Sequence, residues 1–222
     1  NTDSKKVWTP FPASGRFIDD PSWGNVFSNP QLVTAALGGL SRAFPVEWVC
    51  RLQTDPLVHP FVADYVFKGN RFFLIELGLA INAIRPKRAI LQRLREPKDY
   101  LQTRAELNAG LMLYRLGACK LIHESMGKKG GPDWVAVWPD GSEITAEVKC
   151  PNLSEAAKKR QQVSLKFLFE FMNCDISHLA TDSTTWCKID LVDDLIQRVQ
   201  YDKNGDIDKH WVHELVQEHI LP

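Results

Sequence analysis

The sequence predicts an α/β protein with a mostly helical first half and a small sheet set among helices in the second. Three observations carry this. Helical spacing of apolar residues dominates up to Pro97. Alternation and β-formers take over after Gly117. The second half then reads helix, three strands, helix, strand, helix, an α/β core with a central hairpin. On that shift in style the chain divides into residues 1–97 and 98–222.

Residues 1–30 read as an irregular arm, packed because Trp8, Phe11, Phe17, Trp23 and Phe27 need burial. Asn29-Pro30 is a helix-start signal, and Leu32 to Phe44 follows with helical spacing. Pro45 opens a second helix, His59-Pro60 a third, and Arg71 to Ile84 is a fourth. Pro86 breaks the chain before a short basic helix, Ala89 to Leu94. Tyr100 to Leu116 is a helix closed by Gly117. The strands are Ala118 to His123, Trp134 to Trp138 and Ser142 to Lys149. A long helix is expected from Ser154 to Phe171, a strand at Thr184 to Leu191, and helices at Val192 to Val199 and Asp208 to Ile220.

The 222 residues carry 27 Lys+Arg and 27 Asp+Glu. Zero net charge argues against a general polybasic binder, but a nucleic-acid enzyme needs only a local patch. The charge is uneven. Arg85, Lys87, Arg88, Arg93, Arg95, Lys98 and Arg104 face only Glu96 and Asp99 in the middle of the chain, and acids dominate after Asp190. The longest apolar stretch, Phe72 to Ile84, is broken by Glu76 and is shorter than the roughly 20 residues a bilayer needs. No membrane segment or export signal is expected. Cys50, Cys119, Cys150, Cys174 and Cys187 are odd in number and widely spaced, which suits reduced thiols in a cytoplasm.

The chemistry concentrates between Gly130 and Lys149. Pro139-Asp140-Gly141 is a turn signal between two strands. If that trio is the loop and Trp138 pairs with Ser142, Asp133 falls opposite Glu147, with Cβ atoms about 5 Å apart. Glu147 and Lys149 are two apart and share a strand face. Facing carboxylates repel, and a divalent cation between them removes that cost. Lys149 alongside would steady an attacking hydroxide or a developing phosphorane charge. Glu106 supplies a third acid. Ala109, Gly110 and Leu113 follow it at helical spacing, so it lies on the stripe facing the sheet, where a carboxylate needs a partner or a metal.

Pro132-Asp133, then Glu147-Val148-Lys149 after a glycine turn, with Glu106 on the preceding helix, resembles the PD-(D/E)XK nuclease superfamily. The likeness spans roughly Asp99 to Lys166. It implies a restriction-endonuclease-like core, a small mixed central sheet flanked by helices, and a Mg²⁺-dependent nuclease for which Mn²⁺ can substitute. Asp133 and Glu147 would be metal ligands, with the Val148 backbone carbonyl and Glu106 as further candidates. Lys149 would be the catalytic lysine. Some branches carry a glutamine in the following helix, where Gln161 and Gln162 both stand. Nothing before Pro97 resembles a known domain, so substrate specificity is not carried over.

The substrate expected is nucleic acid, DNA in the first instance. Lys128 and Lys129 in a glycine loop, and Lys158, Lys159 and Arg160 on the next helix, are candidate backbone contacts, though a surface turn and a solvated face explain them as well. Cutting both strands of a duplex takes two active sites, which a homodimer would supply. The alternatives are a catalytically silent fold of this kind that binds or assembles, and an RNA-directed or toxin-type nuclease. His210, His213 and Glu214 read as an ordinary amphipathic helix, since HExxH is absent. Residues 202–208 lack the glycine and glutamate that an EF-hand needs at its sixth and twelfth positions. Cys150 reads as an incidental thiol.

Overall fold

The computed structural model describes residues 11–25, 28–53, 59–66, 70–123 and 131–150, with positions 165, 166, 200, 203, 208, 210, 211 and 214 beyond them. Thr9–Pro151 form one compact unit, and Asn1–Trp8 with Asn152–Pro222 a second. The expected helix at Ser154 to Phe171, the strand at Thr184 to Leu191 and the two last helices fall almost wholly outside the described residues.

In the first unit two short 3₁₀ turns, Phe17–Asp19 and Pro21–Asn25, lead into α1, Pro30–Ala43. Asn29 caps α1, its Oδ1 accepting the Leu32 N–H at 3.1 Å, with Pro30 at the first helical position. There follow α2 (Val46–Leu52), α3 (Phe61–Val66), α4 (Arg71–Ile84), α5 (Arg88–Arg93) and α6 (Tyr100–Arg115). α4 ends where the sequence predicts, with Arg85 left-handed at φ 52° ahead of Pro86. α6 ends at Gly117, whose φ of 99° no side chain would favour. The Gly117 N–H bonds Tyr114 O and the Ala118 N–H bonds Leu113 O, the paired bonds of a Schellman cap.

Phe11, Phe17, Phe44, Phe61 and Tyr65 form an aromatic core, with Phe44 and Phe61 centroids 4.4 Å apart. The arm is therefore packed where it is described: Phe11, Phe17 and Trp23 are buried. α4 lies at the centre of the helical region, against α1 on one side and α6 on another. It buries Leu74, Ile75, Leu77, Ala80 and Ile81, while Phe72 and Phe73 stay exposed. Among the described residues no helix is long and apolar enough to cross a membrane.

Two glycines let α1 and α4 touch backbone to backbone. A Cβ at Gly78 would lie 2.1 Å from the Ala36 carbonyl oxygen, and one at Gly39 would lie 2.0 Å from that of Gly78. Gly78→Ala must force the helices apart, costing about 1–3 kcal/mol, or about 2–4 °C of melting temperature per kcal/mol. Gly38→Ala is the control, because a Cβ there meets nothing within 4 Å. A thermal melt in which both variants behave like the parent would contradict this packing.

Three strands form an antiparallel sheet in the order β1-β2-β3, with β1 Lys120–His123, β2 Trp134–Val137 and β3 Glu143–Ala146. The Pro139-Asp140-Gly141 loop forms as predicted. Trp138 N–H bonds Ser142 O at 2.9 Å, Gly141 has φ 84°, and Asp140 Oδ1 accepts the Ser142 N–H. β2 and β3 pair Trp134 with Ala146 and Val137 with Glu143, the register deduced from that loop. The strands are shorter than the alternation suggested. A mixed sheet would require the further strand at Thr184 to Leu191; the three described strands are all antiparallel.

Candidate active site

α6 lies on the sheet face that carries Trp134 and Ala136, both buried. Gly110 permits this approach, since a Cβ there would come 2.6 Å from the Trp134 ring. The indole Nε1–H of Trp134 in turn donates to the Glu106 carbonyl at 2.8 Å. Glu106 is thus carried to the sheet, as its place on the helix predicted, with its side chain 3% exposed.

The Glu106 carboxylate meets four donors. Arg93 of α5 grips it with two bonds of 3.0 Å, one to each oxygen. His123 Nε2 lies 3.1 Å from Oε2, and Gln102 Nε2 donates to Oε1 at 3.1 Å. A carboxylate offers about four lone-pair positions, so all are engaged. Burial pushes this carboxyl up, but the bonds from His123, Arg93 and Gln102 outweigh it and hold the group down at about 2. The partner that the sequence required for a buried acid is this cationic fork. As arranged, Glu106 does not fit a metal-ligand role without releasing Arg93.

Asp133 precedes β2 and takes the Val148 N–H on Oδ2 at 2.7 Å. Val148 O accepts Gln102 Nε2 at 2.8 Å, and the Cys150 N–H donates to Gln102 Oε1 at 3.1 Å. The Gln102 carboxamide behaves like a neighbouring peptide and holds the chain at 148–150. Asp133 and Gln102 together fix the backbone that presents Glu147 and Lys149. The Val148 carbonyl, a candidate ligand in the sequence, is engaged by Gln102. Alternation sends Glu147 and Lys149 outward, 66% and 82% exposed, with Lys149 Nζ 3.7 Å from Glu147 Oε1.

Glu106 and the Glu147/Lys149 pair are therefore built differently, one buried and saturated, the other open to solvent. Asp133 and Glu147 are hard oxygen donors on adjacent chain segments. Oxygen donors of this type are the ones Mg²⁺ and Mn²⁺ take, commonly one or two carboxylates with water and phosphate oxygens completing the shell. Among the described residues no three His, Cys, Asp or Glu side chains are grouped to hold a metal ion.

The basic run from Arg85 to Arg104 is partly spent on structure. Arg93 holds Glu106, Arg104 pairs with buried Asp64, and Arg95 Nε donates to Ala43 O at 2.6 Å. The phosphate-binding role suggested by that cluster does not extend to Arg93 and Arg104 as they stand. Lys128, Lys129, Lys158, Lys159, Arg160, Gln161 and Gln162 lie outside the described residues, as does His213. His210 Nε2 sits 3.2 Å from Glu214 Oε1, the exposed one-turn pair of an amphipathic helix.

Sequence reasoning did not single out Gln102, Arg93 or His123. Gln102 had a signal, being one turn before Glu106 on the same helix face. His123 had one too, since it lies across the strand pair from Trp134. Arg93 had none, because its approach depends on how α5 folds back on α6. Compared with protein-family models, with curated proteins and with solved structures, the chain shows no match.

Proposed function

We propose that the chain is a divalent-metal-dependent nuclease that hydrolyses phosphodiester bonds, with DNA as its first expected substrate. The observation that carries this is the Asp133/Glu147/Lys149 arrangement: the β2–β3 register sets Asp133 beside the Glu147-Val148-Lys149 segment, and Asp133 and Gln102 clamp its backbone. Asp133 and Glu147 would hold Mg²⁺. When bound there, the cation would polarise a phosphoryl oxygen and acidify a water molecule. Lys149 Nζ, exposed beside Glu147, would donate to a non-bridging phosphate oxygen or to a lone pair on the oxygen of the attacking water. Asp133, its Oδ2 tied to the Val148 N–H, holds a fixed orientation. Glu106 acts through Arg93 and Gln102 as a positioning residue.

A second reading, a catalytically silent fold of this kind that binds or assembles, draws on one observation: all four lone-pair positions of Glu106 are already engaged. A cleavage panel separates the readings. Duplex DNA, single strands, branched junctions and RNA are each incubated with Mg²⁺, Mn²⁺ or EDTA. Cleavage of at least one substrate that EDTA stops is the expected result. DNA preference supports the first substrate, and RNA-only cleavage supports an RNA-directed or toxin-type enzyme. No cleavage under any condition, together with no metal-induced rise in melting temperature, would refute nuclease activity.

A further inference from the structure

A second group of polar side chains converges within the Thr9–Pro151 unit, away from the sheet. A cavity of about 580 Å³ is lined by Trp48, Arg51, His59, Gln92, Arg95 and Glu96 among others. That volume lies in the range of small-ligand sites. It is formed by α2, the chain leading into α3, and the end of α5 with the turn after it.

Two features of the lining call for an acceptor. The first is His59, only 2% exposed. Its Nδ1 accepts the Phe61 N–H at 3.1 Å, so the neutral ring carries its proton on Nε2. That Nε2 is buried and has no hydrogen-bond partner among the described residues. The carbonyls of Leu94 and Arg95 lie near enough to favour the charged ring, but not in hydrogen-bond geometry. Burial prevails and pushes His59 down to about 4, so at neutral pH it is a donor without charge. A buried donor with no acceptor is costly and uncommon.

The second feature is gathered positive charge. Arg51 and Arg95 both line the cavity, and Arg95 is held by its Nε bond to Ala43 O. Burial first, then the like charges of Arg88 and Arg51, draw Arg95 below its ordinary value. Among the described lining residues Glu96 is the one carboxylate beside these two guanidiniums. Guanidiniums are the side chains whose fork matches phosphate oxygens, and Gln92 adds an amide.

We propose that this cavity binds a phosphate-bearing ligand of up to about mononucleotide size, with Arg51 and Arg95 pairing its phosphate oxygens and His59 donating from Nε2 to one of them. The source of the phosphate is a free nucleotide or the 5′-phosphate of a strand. The site is separate from Asp133, Glu147 and Lys149 and does not rest on the nuclease reading.

Calorimetric titration of the full chain with pyrophosphate, adenosine monophosphate, adenosine, and an oligonucleotide with or without a 5′-phosphate tests it. Binding of the phosphorylated probes and not of adenosine is expected. A 5′-phosphorylated strand binding tenfold or more tighter than the nucleotide identifies a strand end, and the reverse identifies a free nucleotide. Arg51→Gln should weaken binding about tenfold, and Glu96→Gln should strengthen it several-fold. These opposite signs cannot both come from loss of fold. Glu147→Ala should leave the binding of adenosine monophosphate in the absence of divalent metal unchanged, which separates this site from the cleavage site. No binding of any phosphorylated probe at millimolar concentration, or equal binding to parent and Arg51→Gln, would overturn the proposal.

Discussion

Lys149→Ala is expected to lower metal-dependent cleavage by at least about 100-fold, the usual scale for removing one group that stabilises transition-state charge. The same substitution should leave stability unchanged. Lys149 is 82% exposed and its only described ion pair, to Glu147 at 3.7 Å, is a surface contact of small worth. The activity loss is therefore separable from folding. Lys149→Arg keeps the charge but not the compact ammonium, and should recover only part of the rate. Glu147→Ala should be equally inactive, and metal binding should weaken with it. Asp133→Asn is more informative, because the amide oxygen can still accept the Val148 N–H while the charge is lost. It should keep the melting temperature and lose the metal-induced rise. Parent-like cleavage by both Lys149→Ala and Glu147→Ala would refute the mechanism.

Glu106→Ala is expected to be the most destabilising change at the site, by about 3–5 kcal/mol, the scale for removing one partner of a buried ion pair. It removes the carboxylate that Arg93, 26% exposed, and His123 both contact. The pH dependence has a definite sign. The folded carboxyl sits at about 2 and its ordinary value is 4.5, so the contribution is complete above about pH 5. It is lost as pH falls from there toward 2. In Glu106→Gln this acid-side loss should be absent, since nothing at 106 titrates. Urea unfolding of parent and Glu106→Gln between pH 2 and pH 7 reads the difference directly. Curves of the two that run parallel across this range would show that Glu106 is not the group responsible. Cleavage separates the roles further: a positioning Glu106 leaves Glu106→Gln measurably active, whereas an essential ligand does not.

Local signals carried much of the fold. Asn29-Pro30, Pro86 and Gly117 each mark a helix end through a property of their own, and the helices end near them. The loop Pro139-Asp140-Gly141 mattered most. A three-residue loop leaves one register available, and the pairs observed, from Val137 with Glu143 to Trp134 with Ala146, follow it and stop one residue short of Asp133 and Glu147. The burial of Glu106 was also legible, because helical period alone puts it on the Gly110 face.

The partners of Glu106 were a different matter. Arg93 belongs to a basic run that reads as solvated or phosphate-binding, and only the return of α5 onto α6 turns it inward. Gln102 meets Val148 and Cys150 far along the chain, a contact made by docking α6 on the sheet. The contact of Gly39 with Gly78, and the gathering of His59, Arg51 and Arg95 about one cavity, are likewise products of packing. The sequence by itself determined the helix limits, the hairpin register and the carboxylates that could share a cation, because each follows from neighbours within a turn or a strand pair. Tertiary structure alone decided which charges are neutralised and which stay open, because that depends on which helix face reaches which distant segment, and no local period encodes it.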